Sequence, residues 1–473
     1  MSTSHLHPFE LPEILQSIAS YVPDSSLSAC ARVSKTWHQG FIPFIWRDVR
    51  LQDCLPEAAR AYSDLIRTLH ISYELPQEHI ALRCPNLSTL DIEKTHLDSD
   101  RTEFILEHPS LTCLKLDNCY PKAFAMLWEK ILGLYNLKDL TVIGMTICRE
   151  DAHSFWQVCT RLERLDINFI KIDVPHYLLS VEFPRIQNLR ISNPREEDFS
   201  WILKFLQNCP NLATWYLAMD DRIPPELFAY EFAEMVSART WPYLERVETW
   251  TCTMNLALSK IMAGMQRITS LKFPCMEGNF GPDCMEPLRS HFSNVKELNL
   301  RNDKGLTSSM AQEILSSCSI LEVLKVHRID ATDVAAGRPW VCLRLKNLAA
   351  CFRFDPTTID DLQPLVFDQL SRLLRLEQLH VDGRPNENGW EYPDFQETLD
   401  LRLEKGLDKL STIRSLCQIS FRNTLQKMTE EEIKWMLQHW PRLSQVRGQL
   451  NYTKREFDQA LLRKRLLRRG IDA

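Results

Sequence analysis

Leu137-Lys-Asp-Leu140-Thr-Val142 is followed further along the chain by Leu162-Glu-Arg-Leu165-Asp-Ile167, and both hexapeptides read L-x-x-L-x-L with β-compatible residues between the aliphatics. Upstream the pattern stands in Leu111-Thr-Cys-Leu114-Lys-Leu116 and Leu87-Ser-Thr-Leu90-Asp-Ile92, with a degenerate copy at Ile66-Arg-Thr-Leu69-His-Ile71. Downstream, copies begin at Ile186, Leu212, Leu244, Ile268, Val295, Leu321, Leu348, Leu376, Ile413 and Leu443. Most steps between first positions are 24 to 28 residues, with longer ones after Leu212, Leu376 and Ile413. Within a copy, alternate residues share a face, as in a strand. The stretches between copies carry apolar residues three and four apart and predict short helices at 101–107, 124–132, 152–158, 199–206, 226–237, 310–316 and 362–373.

A period in the mid-twenties with this consensus is the signature of leucine-rich repeats. One repeat cannot close its own apolar face, so the units must stack. The expected fold class is α/β: a solenoid over residues 51–452 with about 14–15 irregular repeats, a parallel sheet on its concave face and helices outside. An ordinary α/β domain with leucine-rich strands is the alternative, and the near-constant spacing of the copies disfavours it. The copies at Leu212, Leu244 and Leu348 have drifted, with Trp215, Thr249 and Arg353 at aliphatic positions. After Leu376, residues 382–390 are rich in turn formers and read as an exposed loop.

Composition narrows the function. The 473 residues carry a net charge of −6 and only 13 glycines, too few to favour phosphate-cradling loops. No G-x-x-x-x-G-K-[ST], G-x-G-x-x-G, G-x-S-x-G or H-E-x-x-H occurs, so neither a catalytic residue nor a metal site nor a cofactor is expected. A Cys–His pair among 15 cysteines and 13 histidines is the enzymatic alternative. The cysteines form no CxxC, and several recur before a repeat, as in Cys84-Pro-Asn-Leu87 and Cys209-Pro-Asn-Leu212. They read as reduced thiols of a cytoplasmic or nuclear protein, and no run suits a membrane span.

Residues 8–50 do not share the repeat pattern. Leu11, Ile14, Leu15 and Ile18 lie on one helical face, Tyr21–Ser26 breaks it, Leu27 to Trp37 continues as a second helix, and Phe41 to Arg47 forms a third stretch. Residues 1–7 read as a disordered terminus. So short an apolar module asks for a partner surface. Leu11-Pro12-Glu13-Ile14, then Ile18, Val22, Leu27, Val33-Ser34, Trp37 and finally Trp46, resembles an F-box. That resemblance implies docking on the Skp-type adaptor of an SCF-type ubiquitin ligase and, through it, on a cullin. The adaptor-facing positions it implies are Leu11, Pro12, Ile14, Leu15, Ile18, Leu27, Val33, Trp37 and Trp46. Cys30 and Ala31 depart from the larger aliphatics frequent there. An F-box followed by leucine-rich repeats resembles the substrate receptors of these ligases. Segments 340–345, 365–371 and 436–441 resemble fungal F-box repeat proteins.

In each copy the residues alternating with the aliphatics face the concave side. Over the four repeats from Leu87 acidic residues outnumber basic ones five to two, and over the next six the ratio reverses. Tyr216, Arg246, Trp250, Lys272, Arg301 and Lys325 are the candidate substrate-binding residues, for an acidic or phosphorylated protein segment. The plainer alternative is a set of solvated strand residues. Thr429-Glu-Glu-Glu432 predicts a capping box, and the basic tail 453–473, with Leu461, Leu462, Leu466 and Leu467, predicts a terminal cap. Nuclear import or nucleic-acid contact is the tail's other reading, and a nucleic-acid partner is not expected. The function implied is that of a non-catalytic receptor bringing an unknown protein substrate to ubiquitination and degradation. A scaffold that binds the adaptor without ligase assembly is the alternative.

Overall fold

The computed structural model describes residues 11–73, 82–121, 124–172, 181–194, 200–218, 225–249, 255–273, 280–301, 303–383, 398–453 and 456–472. The chain divides into two compact units, Met1–Leu212 and Ala213–Ala473.

The first unit opens with α1 (Pro12–Ala19), α2 (Asp24–Cys30) and α3 (Lys35–Ile45). The helix expected from Leu27 to Trp37 is therefore two helices. Ser34 separates them, its hydroxyl accepting from the Trp37 amide at 3.1 Å. A side-chain oxygen at a helix start satisfies an amide that has no intrahelical partner, so the cap overrides apolar continuity. Seven parallel strands come next in the chain: β1 (Asp48–Arg50), β2 (Thr68–Ser72), β3 (Thr89–Glu93), β4 (Cys113–Asp117), β5 (Asp139–Ile143), β6 (Arg164–Asn168) and β7 (Asn188–Ser192). Leu69, Leu90, Leu114, Leu140, Leu165 and Leu189 pair across the sheet in one buried row. The strand copies thus sit where the repeat reading puts them, and helices return at Ser99–Leu106, Phe124–Ile131, Arg149–Cys159 and Ser200–Gln207.

Two features recur along this unit. Where a repeat begins, the asparagine before the first leucine donates its amide to a carbonyl of the previous repeat: Asn86 to Asp64, Asn136 to Pro109 and Asn211 to Pro184. Where a strand ends, the next residue is left-handed: Tyr73, Lys94, Asn118, Gly144, Phe169 and Asn193 have φ between 45° and 67°. In five of these the amide still donates to the end of the neighbouring strand, as Gly144 does to the Asn168 carbonyl at 2.9 Å. Such a residue turns the chain without losing a ladder bond, but a side chain there costs roughly 1–2 kcal/mol. Gly144→Ala, whose new Cβ would also run into the Asn118 amide, is expected to lower stability by at least that. Phe169→Gly is expected to be neutral or stabilising by up to about 1 kcal/mol. Chemical melts of both variants check this pair; an indifferent Gly144→Ala would contradict the steric account.

Asp151 lies in the first turn of the helix Arg149–Cys159, is 2% exposed, and has one carboxylate oxygen without a partner among the described residues. Burial, and secondarily Glu150, push its carboxyl up to about 6. The folded state therefore holds this proton more tightly than the unfolded chain does. Its contribution favours folding below the ordinary aspartate range and is lost as pH rises through about 6. Asp151→Asn is expected to gain on the order of 2 kcal/mol above pH 7 and little near pH 4. Thermal melts at the two pH values test this, and equal gains at both would contradict it.

The second unit carries β8 (Thr214–Ala218), β9 (Arg246–Thr249), β10 (Ser270–Lys272), β11 (Glu297–Leu300), β12 (Val323–Asp330), β13 (Asn347–Arg353), β14 (Gln378–His380), β15 (Gln418–Ser420) and β16 (Gln445–Arg447), all parallel and paired in this order. Two copies shift from their expected register by three residues. Asn347 pairs with Val323 and Gln418 with Gln378, so the first positions are Leu345 and Leu416, not Leu348 and Ile413. The shift removes Arg353 from an aliphatic position: it ends β13 and is exposed. Trp215 and Thr249 do occupy interior positions and are buried.

Irregular chain in this unit is satisfied by buried amide side chains. Gln312 accepts from the Trp340 indole and donates to the Arg338 carbonyl, both at 2.8 Å. Gln426 accepts from the Leu401 amide and donates to the Leu399 carbonyl, both at 2.9 Å. Segments outside a ladder need such partners, because an unpaired buried backbone group is costly. The expected capping box forms at Thr429 and Glu432, starting the helix Glu430–His439. In the terminal helix Glu456–Leu467, Leu462 and Leu466 are buried while Leu461 and Leu467 stay exposed. Beyond it the Val446 amide donates to the Asp472 carbonyl, and the Asp472 amide to the Ser444 carbonyl, so the chain end covers the edge of β16. Of the loop 382–390, only Asp382 and Gly383 lie within the described residues.

All cysteines among the described residues are free. Burial pushes the thiols of Cys84 and Cys318 up to about 12, and raises those of Cys159 and Cys209 well above the ordinary thiol range. Such thiols are packing groups, not nucleophiles.

Candidate functional site

Three short helices hold their shape through a small core of Leu15, Ala19, Leu27, Ala31 and Phe41, ringed by Ile18, Val22, Cys30, Trp37, Phe44 and Ile45. Leu11 is extended and Pro12 begins α1, where its missing N–H costs nothing. Gly40 lets α3 approach α1 closely: a Cβ there would stand 2.9 Å from a Leu15 methyl. Trp37 stacks on Phe41 with centroids 5.3 Å apart, and Trp46 stacks on Tyr62 at 4.8 Å.

This packing sorts the nine expected adaptor-facing residues. Leu15 and Leu27 are 1% and 5% exposed and form the core of the module. Leu27 also borders, with Trp46, a groove of about 510 Å³ between α2 and β1. Trp37, Trp46 and Ile18 are half-buried against their own chain. Pro12 is exposed, and so are Leu11 (38%), Ile14 (39%) and Val33 (64%), which are large apolar side chains that the module itself leaves uncovered. Leu11 and Ile14 lie three apart, on one side of the start of α1. Tyr21, 86% exposed, was not among the expected positions; it lies just after α1, and a break residue with an aromatic side chain was its only sequence signal.

The strand faces of the repeats are charged. In the first unit every acid of the expected acidic stretch has an internal cation: Glu93 with Lys94, Asp91 and Asp117 with Lys115, Asp139 with Arg164 and Asp166 with Arg190. His70 bridges Asp48 at 3.0 Å and Asp91 at 3.3 Å. The acidic excess read from composition is thus spent largely within the sheet.

In the second unit Tyr216, Arg246, Lys272 and Lys325 lie on the strand face, and Arg301 directly follows β11. Trp250 lies outside the described residues. Lys272 pairs with Glu297 at 3.1 Å and Glu248 at 3.8 Å, and Arg301 with Asp382 at 3.0 Å. Lys325 has no ion pair with a described residue, and burial, aided by Arg301 and Lys272, lowers its amine from the ordinary lysine range. His380 and Arg447 share its row and were not among the expected residues; the strand alternation of the copies at Leu376 and Leu443 is the signal that points to both. Among the described residues no group of three or more His, Cys, Asp or Glu side chains could hold a metal ion, and no helix is long and apolar enough to cross a membrane.

Residues 12–52 match the F-box-like family model. No curated protein matches the chain. Among solved structures the chain is similar to one in a crystal structure of a TLR13–ssRNA13 complex, at 12% identity and a TM-score of 0.42 over 83% of this chain and 57% of that one. It thus spans little more than half of that chain's length. It is also similar to an internalin, InlF, from Listeria monocytogenes str. 4b F2365, at 13% identity and a TM-score of 0.30 over 94% and 88% of the two chains.

Proposed function

We propose that this chain is a substrate receptor of an SCF-type ubiquitin ligase. The F-box-like module holds a Skp-type adaptor, and the leucine-rich-repeat-like units hold a protein destined for ubiquitin transfer by other subunits. The observation that carries this reading is the coincidence of the F-box-like match over 12–52 with uncovered Leu11, Ile14 and Val33. Exposed aliphatics on a module with a closed core of its own need a partner. On this reading the chain does no bond chemistry. It raises the effective concentration of the target beside the ligase, so that transfer becomes intramolecular.

Proximity labelling in cells with the intact chain and with an L11D/I14D/V33D variant tests the degradative role. At least one protein labelled by both forms is expected to rise in abundance with the variant, because it is captured but no longer delivered. If captured proteins hold the same level with both forms, a non-degradative scaffold replaces this reading.

A further inference from the structure

The turns that lead into the last strands of the second unit repeat one corner, away from the strand face. In three successive turns the backbone bonds are alike: the Leu343, Leu374 and Arg414 amides donate to the Val341, Arg372 and Thr412 carbonyls at 2.8 to 3.0 Å. Strand pairing aligns Asn347, Gln378, Gln418 and Gln445, and the bridge from Gln445 to Asp472 extends the series to the chain end. The residues three before these are Arg344, Arg375, Ser415, Arg442 and Arg469. Arg414 stands next to Ser415, whose hydroxyl donates to the Leu374 carbonyl at 3.0 Å and to the Leu376 carbonyl at 2.7 Å, so adjacent corners touch. At about 4.8 Å per strand the series makes a ridge roughly 20 Å long.

All five arginines are exposed, and none has an ion pair with a described residue. The acids in these turns are Glu377, which acts on Lys346, and Asp472, which accepts from the Gln445 side chain at 2.9 Å. Lys346 also offsets Glu322, at 2.8 Å. Among the guanidinium groups, Leu343 and Leu374 are 49% and 58% exposed. A single exposed leucine needs no explanation, but two at the same corner of neighbouring repeats, interleaved with unpaired arginines, form an uncovered patch.

We propose that this ridge rests on the surface of a membrane containing anionic lipid, with the arginines among the headgroups and Leu343 and Leu374 at the acyl boundary beneath them. The contact is peripheral, not a span, and depends on neither the adaptor nor ubiquitin transfer. Basic residues beside an anionic leaflet and apolar side chains entering its interface each add affinity. Arginine suits this place, because its aliphatic stem can lie along the leucines while the guanidinium stays with the headgroups. A nucleic-acid strand would leave both leucines in water, and it would find no aromatic face for its bases, since Trp340 and Trp440 are buried beside the ridge. A folded protein partner would need a groove matched to the ridge, whereas a lipid surface deforms around it.

The test is co-sedimentation of the full chain with vesicles of phosphatidylcholine alone or with about one third phosphatidylserine. Binding to the anionic vesicles only, weakening as salt rises, is the expected result. R375Q/R414Q/R442Q is expected to weaken it about a hundredfold, at about fivefold per arginine, and R375K/R414K/R442K to retain it. L343S/L374S is expected to weaken it at least fivefold with the same salt dependence. R83Q/K171Q/K204Q, which removes equal charge from the first unit, is expected to bind as the parent does. Melts confirm that each variant is folded; these positions are exposed, so no loss of stability is expected. Failure to bind anionic vesicles, equal binding to both kinds, or a glutamine variant that binds like the parent would overturn the proposal. So would a short duplex DNA that displaces the vesicles and whose own binding needs the arginines but not the leucines.

Discussion

Replacing Trp156 with alanine is expected to destabilise the first unit by about 3–5 kcal/mol, the usual range for removing a large buried aromatic. Trp156 is 1% exposed at the centre of an aromatic cluster. Its ring centroid stands 4.9 Å from that of Phe155, 5.0 Å from Phe205, 5.9 Å from Phe183 and 6.1 Å from Trp201. These rings come from two successive returning helices and the segment between them, so one truncation opens a cavity shared by neighbouring repeats. Because repeat stacks depend on nearest-neighbour interfaces, the loss spreads along the unit. Trp156→Phe, which keeps one ring in place and leaves a smaller cavity, is expected to cost less than the alanine variant. The indole N–H has no hydrogen-bond partner among the described residues, so its removal breaks no polar contact with them. Urea unfolding followed by circular dichroism measures both. An alanine variant within about 1 kcal/mol of the parent would show that the cluster does not hold the repeats together.

The second large effect concerns binding. The triple variant L11D/I14D/V33D is expected to weaken association with a recombinant Skp-type adaptor at least a hundredfold, about 2.8 kcal/mol, with the melting temperature unchanged. Buried anchors dominate interfaces, and an aspartate at each would have to be desolvated without a partner. Leu15→Asp is the internal control: at 1% exposure it places a charge in the module's core, and lost binding there is expected to accompany lost folding. Calorimetric titration and melts on one set of preparations separate the two causes. Adaptor binding unaffected by the triple variant would place the interface elsewhere.

The α/β repeat architecture was legible wherever leucine spacing and strand alternation agree, which holds from Ile66 to Leu321. It slipped at Leu348 and Ile413 because aliphatics three residues apart fit the same consensus in either frame; only pairing with Val323 and Gln378 selects Leu345 and Leu416. Helix borders in the F-box-like module turned on Ser34, whose capping bond a periodic apolar pattern does not reveal. Apolarity likewise did not separate the residues that close that module from those it leaves free. Leu15 and Ile14 are adjacent in sequence, yet one is core and the other surface. On the strand faces, composition indicated an acidic and a basic stretch, but pairing decides what is available to a partner. Lys272 and Arg301 are already engaged, while Lys325 has no ion pair with a described residue. Lys325, His380 and Arg447 each stand four residues after the first position of an undrifted copy, at Leu321, Leu376 and Leu443, so their shared row follows from the same alternation.

Reconstitution of the complex tests the central claim most directly. The purified full chain is mixed with a Skp-type adaptor and a cullin, and the mass of the product is measured by light scattering after size exclusion. A single species containing one copy of each is the predicted result, reverting to free chain plus adaptor–cullin when L11D/I14D/V33D is substituted. A chain that elutes alone, or that binds the adaptor but excludes the cullin, would contradict it.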